Sequence, residues 1–326
     1  MQTLIIGLGS MGQRRIRCLQ ALGHTDIIGY DINTEAAMKV TAKYNIQYVR
    51  ELSELCKNKS DAIIISVPPL LKQKYIDFAN NENIPCFCEA DIQTYSGDYY
   101  PSSTMRFNPA IRKIKELLDN GTLGNVYTFT YHCGNHIADW HPGANMKTYY
   151  AAQKETGACM EMFCFELSWL SCLFGTPADA KGLIDKKLND TDISADDVYA
   201  TAVKFNKEVP VQHGLWVGHA NESIAGIVLI DIVSRPAIRE LRIVGENGTL
   251  SWNWNNSYIT INTSNGLTVT YGYDKGQAAE GYNANICEDM YIDEIANYIN
   301  SIQGKETYAY SKAEEEQVIE MLNKIG

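Results

Sequence analysis

The chain opens on a short apolar run, Leu4-Ile5-Ile6, that passes through three spaced glycines, Gly7-Leu8-Gly9-Ser10-Met11-Gly12, into the segment Gln13–Leu19. That pattern predicts a strand, a tight turn and a helix. A second apolar run, Asp26-Ile27-Ile28-Gly29-Tyr30, ends in Asp31, and residues 34–44 and 51–57 read as helical. Asp61–Val67 is apolar without interruption and is closed by Pro68-Pro69, as expected of a parallel strand buried on both faces. A helix from Lys72 to Asn81 leads to a further buried strand, Pro85–Cys88, followed by Glu89-Ala90-Asp91. The next strand candidate is Ser102–Phe107. The intervening Ile92–Pro101 holds Gly97 and Pro101 and is shorter than the dozen or so residues a helical crossover needs, so a loop is expected there.

Beyond Asn108 the pattern changes. A helix from Pro109 to Asn120 places Ile111, Ile114, Leu117 and Leu118 on one face and stops at Gly121. Strands are then predicted at 125–132, 178–187, 197–206, 210–220, 225–234 and 238–245, with Gly245-Glu246-Asn247-Gly248 as a hairpin turn. Alternation such as Tyr199-Ala200-Thr201-Ala202-Val203 indicates a sheet with one face open to a partner or to solvent. Helices are expected at 156–174, 287–303 and 312–325.

The opening unit has a specific chemical reading. Gly7 permits the turn off the strand, Gly9 lets backbone approach a pyrophosphate, and Gly12 lets the helix lie close to the sheet. The phosphates then meet the helix N-terminus, where N–H groups and the helix dipole favour negative charge. Asp31, roughly 20 residues on, accepts from the ribose hydroxyls and repels a 2′-phosphate, favouring NAD(H) over NADP(H); the structural alternative is a turn acid at a strand end. The cofactor-binding candidates are Gly7, Leu8, Gly9, Ser10, Met11, Gly12, Asp31, Ser66, Val67, Pro68 and Glu89. Tyr95, Tyr99 and Tyr100 either stand at the cofactor mouth or pack their loop onto the sheet. The fold class is α/β: an N-terminal Rossmann domain with a doubly wound parallel sheet over 1–108, and a C-terminal α+β domain over 109–326 with a large, mostly antiparallel open sheet. The terminal helix can pack back on the first domain.

Composition narrows the partners. A net charge of −11 on 326 residues gives nucleic acid and anionic membranes nothing to attract. No apolar run approaches the roughly 18 residues a bilayer span needs, and the N-terminus reads as a buried strand instead of a basic leader, so a cytoplasmic protein is expected. The nine cysteines lack zinc-site spacing and are expected to be reduced thiols, with no metal site.

The order of these landmarks resembles the glucose-fructose oxidoreductase/inositol dehydrogenase (Gfo/Idh/MocA) family over essentially the whole chain. Supporting landmarks are the glycine turn with Asp31, Ser66-Val67-Pro68-Pro69, Arg106-Phe107-Asn108-Pro109, Gly121-Thr122-Leu123-Gly124, Leu241-Arg242-Ile243-Val244-Gly245 and Tyr291-Ile292-Asp293-Glu294. The stretch from Ala138-Asp139-Trp140-His141-Pro142 to Ser171 is similar to members tied to amino-sugar or sialic-acid-like synthesis, which implies a sugar-derived ligand. The family places a lysine in Glu-Lys-Pro after the fifth strand and an Asp-x-x-His pair on the second domain's helix. Set against that pattern, this chain has Ala90 for the lysine, Met162 for the aspartate and Phe165 for the histidine, with Ser168 where an acid is frequent. The resemblance therefore implies an NAD(H)-binding, oxidoreductase-like protein with impaired hydride transfer, or else a non-catalytic NAD(H)-dependent sensor or partner subunit. Glu161, His141 and Glu89 are the candidates for a replacement acid or base, with Glu166, His132, His136 and Asp139 nearby in the pattern and Tyr149, Tyr150 and Lys154 as possible ligand contacts. A homodimer or homotetramer through the C-terminal sheet is expected.

Overall fold

The computed structural model describes residues 1–325 except 52–59, 141–142, 144, 191, 214–215 and 279–284; for 208–213 and 216–221 the backbone alone is described. The helix expected at 51–57 falls almost wholly outside the described residues, and so does His141. In chain order the elements are β1 (Thr3–Ile6), α1 (Ser10–Ala21), β2 (Ile27–Tyr30), α2 (Thr34–Tyr44), β3 (Gln47–Tyr48), β4 (Ala62–Ile65), α3 (Lys72–Asn81), β5 (Cys86–Cys88), β6 (Tyr100–Pro101), α4 (Pro109–Asp119), β7 (Val126–Gly134), α5 (Ala158–Phe174), β8 (Thr176–Asp185), β9 (Val198–His213), β10 (Trp216–Asp231), β11 (Ile238–Gly245), β12 (Gly248–Asn253), β13 (Tyr258–Thr263), β14 (Thr268–Gly272), α6 (Glu288–Ile302) and α7 (Lys312–Leu322). They form two compact units, Met1–Phe107 with Gly276–Glu315, and Asn108–Lys275 with Glu316–Gly326.

The first unit is built on a parallel six-stranded sheet in the order β3-β2-β1-β4-β5-β6. Successive side chains of β1 and β4 enter two separate cores, Ile5 and Ile64 with Ile16, Leu19 and Phe87 on one face, Leu4, Ile6, Ile63 and Ile65 with Tyr75 and Ile76 on the other. Burial on both faces is why these strands read as unbroken apolar runs. The unit does not end at residue 108. Ile295, Tyr298 and Ile299 of α6 complete the first core, and the Tyr298 hydroxyl donates to the Pro85 carbonyl at 2.8 Å. The expected second domain, 109–326, is thus not one continuous stretch.

Ser102–Phe107 is not a strand. The sixth strand is the short Tyr100–Pro101, and Thr104–Phe107 is a 3-10 turn. Glu294 of α6 accepts there from the Ser102 hydroxyl (2.9 Å), the Thr104 hydroxyl (2.7 Å) and the Ser103 N–H (2.7 Å), the last a backbone group that a strand would use. The expected loop between Ile92 and Pro101 is present up to β6, and its tyrosines settle one alternative. Tyr95 and Tyr99 are buried, with Tyr95 donating to Asp91 (2.5 Å) and Tyr99 to Glu315 (2.6 Å), so these two pack the loop.

The second unit carries an eight-stranded sheet in the order β14-β13-β12-β11-β7-β10-β9-β8, antiparallel except for β7 against β10. Where three strands were expected between 197 and 234 there are two of 16 residues each. Pro210 lies within β9, opposite His219 of β10 and beyond Asn206, where the described pairing of β8 ends. The hairpin turn expected at Gly245–Gly248 joins β11 to β12, whereas strands β13 and β14 were not expected from the sequence. The core positions of β12 and β13 are sparse, Leu250 and Trp252, then Ile259 and Ile261, set among Asn, Ser and Thr.

Helix α5 fills the covered face of this sheet. Phe174 stacks on Phe129 at 4.3 Å between centroids, and Trp169 meets Tyr131 and Trp252 edge-on. By composition the stretch Lys154–Phe174 is apolar enough to cross a membrane, contrary to the expectation that none is, yet 78% of its apolar window is buried inside the protein, as in a core helix. Within that core Glu166 is wholly buried and accepts from Arg239 (2.5 Å), Tyr131 (2.5 Å) and Trp169 (2.6 Å). Arg239→Met would strand this carboxylate without its counter-charge and should cost about 3–5 kcal/mol in urea unfolding, while replacing Arg239 and Glu166 together by apolar residues should cost clearly less.

Candidate functional site

At the carboxyl ends of β1, β2 and β4 the chain draws its turns together. Gly7 takes φ +90°, a region that disfavours any other residue, and its N–H donates to the Tyr30 carbonyl at 2.9 Å. The Ser66 N–H donates to the Ile6 carbonyl at 2.8 Å, so the glycine turn lies hard against the end of β4. A Cβ on Gly12 would overlap the carbonyl oxygen of Gly7, whereas one on Gly9 would meet nothing within 4 Å. The two glycines therefore do different things: Gly12 seats α1 on the turn, and Gly9 leaves open the space a pyrophosphate occupies. The N-terminus of α1 has no side-chain cap and no acid in its first turn, which suits an anion.

Asp31 is more than a ribose ligand. One carboxylate oxygen accepts from the Leu8 N–H and the other from the Asn33 N–H, both at 2.8 Å. Each oxygen has a further lone pair, the requirement for holding ribose hydroxyls. Asn33 in turn caps α2 through Ala36. Val67 is half-buried and Pro68 exposed beside this turn.

Glu89 serves the framework. Its oxygens take a bidentate pair of hydrogen bonds from Arg15, 2.7 and 2.8 Å, and a third from the Ser66 hydroxyl at 3.1 Å. Arg15, with no exposure, also pairs with buried Glu294 at 2.8 Å. Burial pushes the Glu89 carboxyl up, but the Arg15 guanidinium, Lys72 and the Ser66 hydroxyl outweigh it and hold it below the usual carboxylate range. Glu294 ends above that range, because burial and the neighbouring Glu89 outweigh its pairing with Arg15.

Beside Ala90 stands an ammonium the sequence pattern did not single out. Lys72 Nζ donates to the carbonyls of Glu89 (2.7 Å) and Ala90 (2.9 Å) and pairs with Asp91 at 2.6 Å; its side chain is 2% exposed. Arg15 and Glu294 were missed as well. The signal was a cation on the face of α1 that carries Cys18 and Leu19, where only a paired charge is tolerated.

In the second unit the remaining candidates have separate partners. His132 bonds Asp231 at 2.7 Å, His136 caps the 3-10 turn Ile137–Asp139, and Asp139 holds Arg235 in a bidentate pair at 2.8 Å. Glu161, half-buried on the first turn of α5, accepts from the Tyr150 hydroxyl at 3.0 Å. Tyr149 packs edge-on against Tyr150, and burial together with the Glu161 charge raises its phenol pKa. Met162 is buried, Phe165 half-buried and Lys154 exposed. The Ser168 hydroxyl is turned back to the Phe165 carbonyl at 2.7 Å.

A glycine turn pinned between strand ends, an uncapped helix start and an aspartate set for ribose define a NAD-type dinucleotide-binding domain. Two family models match in succession: the oxidoreductase family NAD-binding Rossmann fold over residues 1–94 and the GFO/IDH/MocA C-terminal domain over residues 111–251. The chain belongs to the Gfo/Idh/MocA oxidoreductase family, and its cofactor is NAD(H). Among solved structures it is similar to levoglucosan dehydrogenase in complex with NADH (TM-score 0.78, 14% identity, covering 100% of this chain and 95% of that one). An oxidoreductase from Agrobacterium radiobacter in complex with NAD+, L-tartaric acid and magnesium gives 0.78 at 12% identity, with 100% and 95% coverage. UDP-N-acetylglucosamine 3-dehydrogenase from Acidithiobacillus ferrooxidans gives 0.74 at 15% identity, with 100% and 96% coverage. A search of curated protein sequences finds no match to this chain.

Asp31→Ala should weaken NADH binding roughly ten- to a hundredfold in a fluorescence titration, one or two hydrogen bonds to a charged group at ~1.5–3 kcal/mol each, and should narrow the preference over NADPH. The Glu89 pKa is depressed on folding, so its contribution to stability is present above the unfolded value of about 4.3 and is lost as pH falls through the folded value. Glu89→Gln should therefore lower the urea midpoint at pH 7 and flatten the loss of stability below about pH 4.

Proposed function

We propose that this protein binds NAD(H) together with a sugar-derived metabolite, of amino-sugar or sialic-acid-like type, and that hydride transfer of the family kind is impaired in it. The bound nicotinamide supplies a hydride acceptor or donor; an alcohol proton must leave by another route. The observation that carries the reading is the environment of Ala90. Its methyl group replaces the family's lysine, and Lys72, the ammonium beside it, is sealed from solvent and spent on two carbonyls and Asp91. Phe165 likewise offers no proton where the family has histidine. The sugar assignment is supported by similarity to proteins whose names are those of sugar dehydrogenases.

The same observation favours a second reading, a non-catalytic NAD(H)-dependent sensor or partner subunit. Glu161 with Tyr150 keeps the enzymatic reading open, because a half-buried carboxylate bonded to a phenol can exchange a proton. We also propose that the protein forms a homodimer or homotetramer through the open face of the eight-stranded sheet. That face exposes Leu183 (77%) and Ile227 (49%) around a depression of about 600 Å³ lined by Thr130, His132, Glu240 and Arg242.

The test is calorimetric titration with NADH followed by assays at 340 nm with NAD+ and a panel of sugars, amino sugars and their nucleotide forms. Binding with little or no turnover is expected, and Ala90→Lys with Phe165→His should raise turnover on the metabolite that binds by about 10²-fold or more, the contribution of a positioned acid or base. Fast turnover by the unaltered protein that Glu161→Gln abolishes would refute the impairment and the sensor reading together.

A further inference from the structure

Lys72 is the first residue of α3, directly after the 3-10 turn Pro69–Leu71, and its ammonium donates to two successive carbonyls, those of Glu89 (2.7 Å) and Ala90 (2.9 Å). Asp91 holds that ammonium in place at 2.6 Å and also accepts from the Tyr95 hydroxyl at 2.5 Å. Lys72, Asp91 and Tyr95 are all buried, so this side of the segment 89–91 is closed to water.

The clamp has an effect on the other side. A trans peptide unit is planar, with its C=O and N–H pointing in opposite directions, and neither the Glu89–Ala90 nor the Ala90–Asp91 bond is cis. With both carbonyls turned inward onto one ammonium, the N–H groups of Ala90 and Asp91 are turned away from it. Neither has an acceptor among the described residues. The family's Glu-Lys-Pro ends on a residue without an N–H, whereas Asp91 supplies one. Ala90 is half-buried, so the segment is reached from outside. Two neighbouring backbone donors held in one direction make a place for an oxygen.

Strand order says what meets them. Asp31 ends β2 and the glycine turn ends β1, so a dinucleotide with its adenosine ribose and pyrophosphate there carries its nicotinamide half toward β4 and β5. Residues 89–91 follow directly on β5. A ligand held against the nicotinamide is within reach of the pair.

We propose that the N–H groups of Ala90 and Asp91 receive the carbonyl oxygen of an N-acyl substituent on the bound sugar. The proposal rests on the reading that the protein binds NAD(H) with a sugar-derived metabolite, and it names the group by which that sugar is recognised. Two N–H groups can only donate, so they suit an oxygen that only accepts, and they repel an ammonium. Between a carboxylate and an amide carbonyl the surrounding charge decides. Glu89, Asp91 and Glu294 stand against Arg15 and Lys72, an excess of carboxylate that opposes a further anion and leaves a neutral carbonyl unaffected.

The experiment titrates the NADH-saturated, full-length protein in a calorimeter with N-acetylglucosamine, N-acetylgalactosamine and N-acetylmannosamine, with their free-amine and hydroxyl parents, and with glucuronate and galacturonate. Asp91→Pro and Asp91→Asn are titrated alongside: both lose the carboxylate, but only the proline loses the N–H. At least one N-acetyl sugar should bind about tenfold or more tightly than both its parents, the effect of one or two hydrogen bonds, with no such gain for the uronates. That preference should shrink to about threefold or less in Asp91→Pro and survive in Asp91→Asn. If Asp91→Pro does not fold by circular dichroism, Ala90→Pro read against Ala90→Ser makes the same comparison. Equal binding of N-acetyl sugars and parents, tighter binding of a uronate, or a preference undiminished by proline overturns the proposal and leaves the sugar reading standing. A proline variant that weakens NADH alone as much as it weakens the N-acetyl sugar gives the donors to the cofactor's carboxamide and likewise overturns it. NADH binding with no affinity for any of these sugars overturns the sugar reading and the proposal together.

Discussion

The first unit depends on one of its buried cations, Arg15. Arg15 sits one turn into the helix that follows the glycine turn, without exposure, and its guanidinium is shared between Glu89 at the end of β5 and Glu294 on α6. Removing a charge from water is costly, and the cost is offset only when geometry is close and every donor is used. Here the arrangement extends outward. Glu89 passes the constraint to Ser66 beside the glycine turn, and Glu294 passes it to Ser102, Ser103 and Thr104. Elements nearly 300 residues apart in the chain are thereby set relative to the same atom group, with the Arg15 guanidinium also lying over the rings of Phe87 and Tyr291. The dinucleotide turn is the exposed end of this framework.

The same framework reaches the end of β5 through backbone contacts. Lys72 holds the backbone of residues 89 and 90 by donating to both carbonyls, which fixes the chain direction at the end of β5. On α5 the apolar residues Met162 and Phe165 continue the character of a helix whose remaining buried charge, Glu166, is matched by Arg239.

Much of this was legible in the order of residues. Gly7, Gly9, Gly12 and Asp31 are read directly because their roles are local: a positive φ, a close approach, a carboxylate at a strand end. The two-faced burial of β1 and β4 was visible in their unbroken apolar runs. What could not be read is non-local. The Ser103 N–H that a strand at Ser102–Phe107 would use is taken by Glu294, and α6 returns to the first core through Tyr298 and Ile295, residues that no window around residue 100 contains. Strands β13 and β14 were overlooked for another reason: their apolar residues alternate with the Asn and Thr that also mark loops.

The position of α5 in the chain has a consequence for how the protein is made. This helix, apolar enough to be mistaken for a membrane segment, leaves the ribosome before β9 to β13, the strands that will roof it, have been synthesised. At roughly 5–20 residues per second the interval lasts several seconds. During that time its aromatic face, later closed by Tyr199, Phe205 and Trp252, is open to chaperones, to neighbouring nascent chains and to lipid. The buried Glu166 works against the last of these fates, for a carboxylate in mid-helix is tolerated in a protein interior that supplies Arg239 and not in a bilayer that supplies nothing.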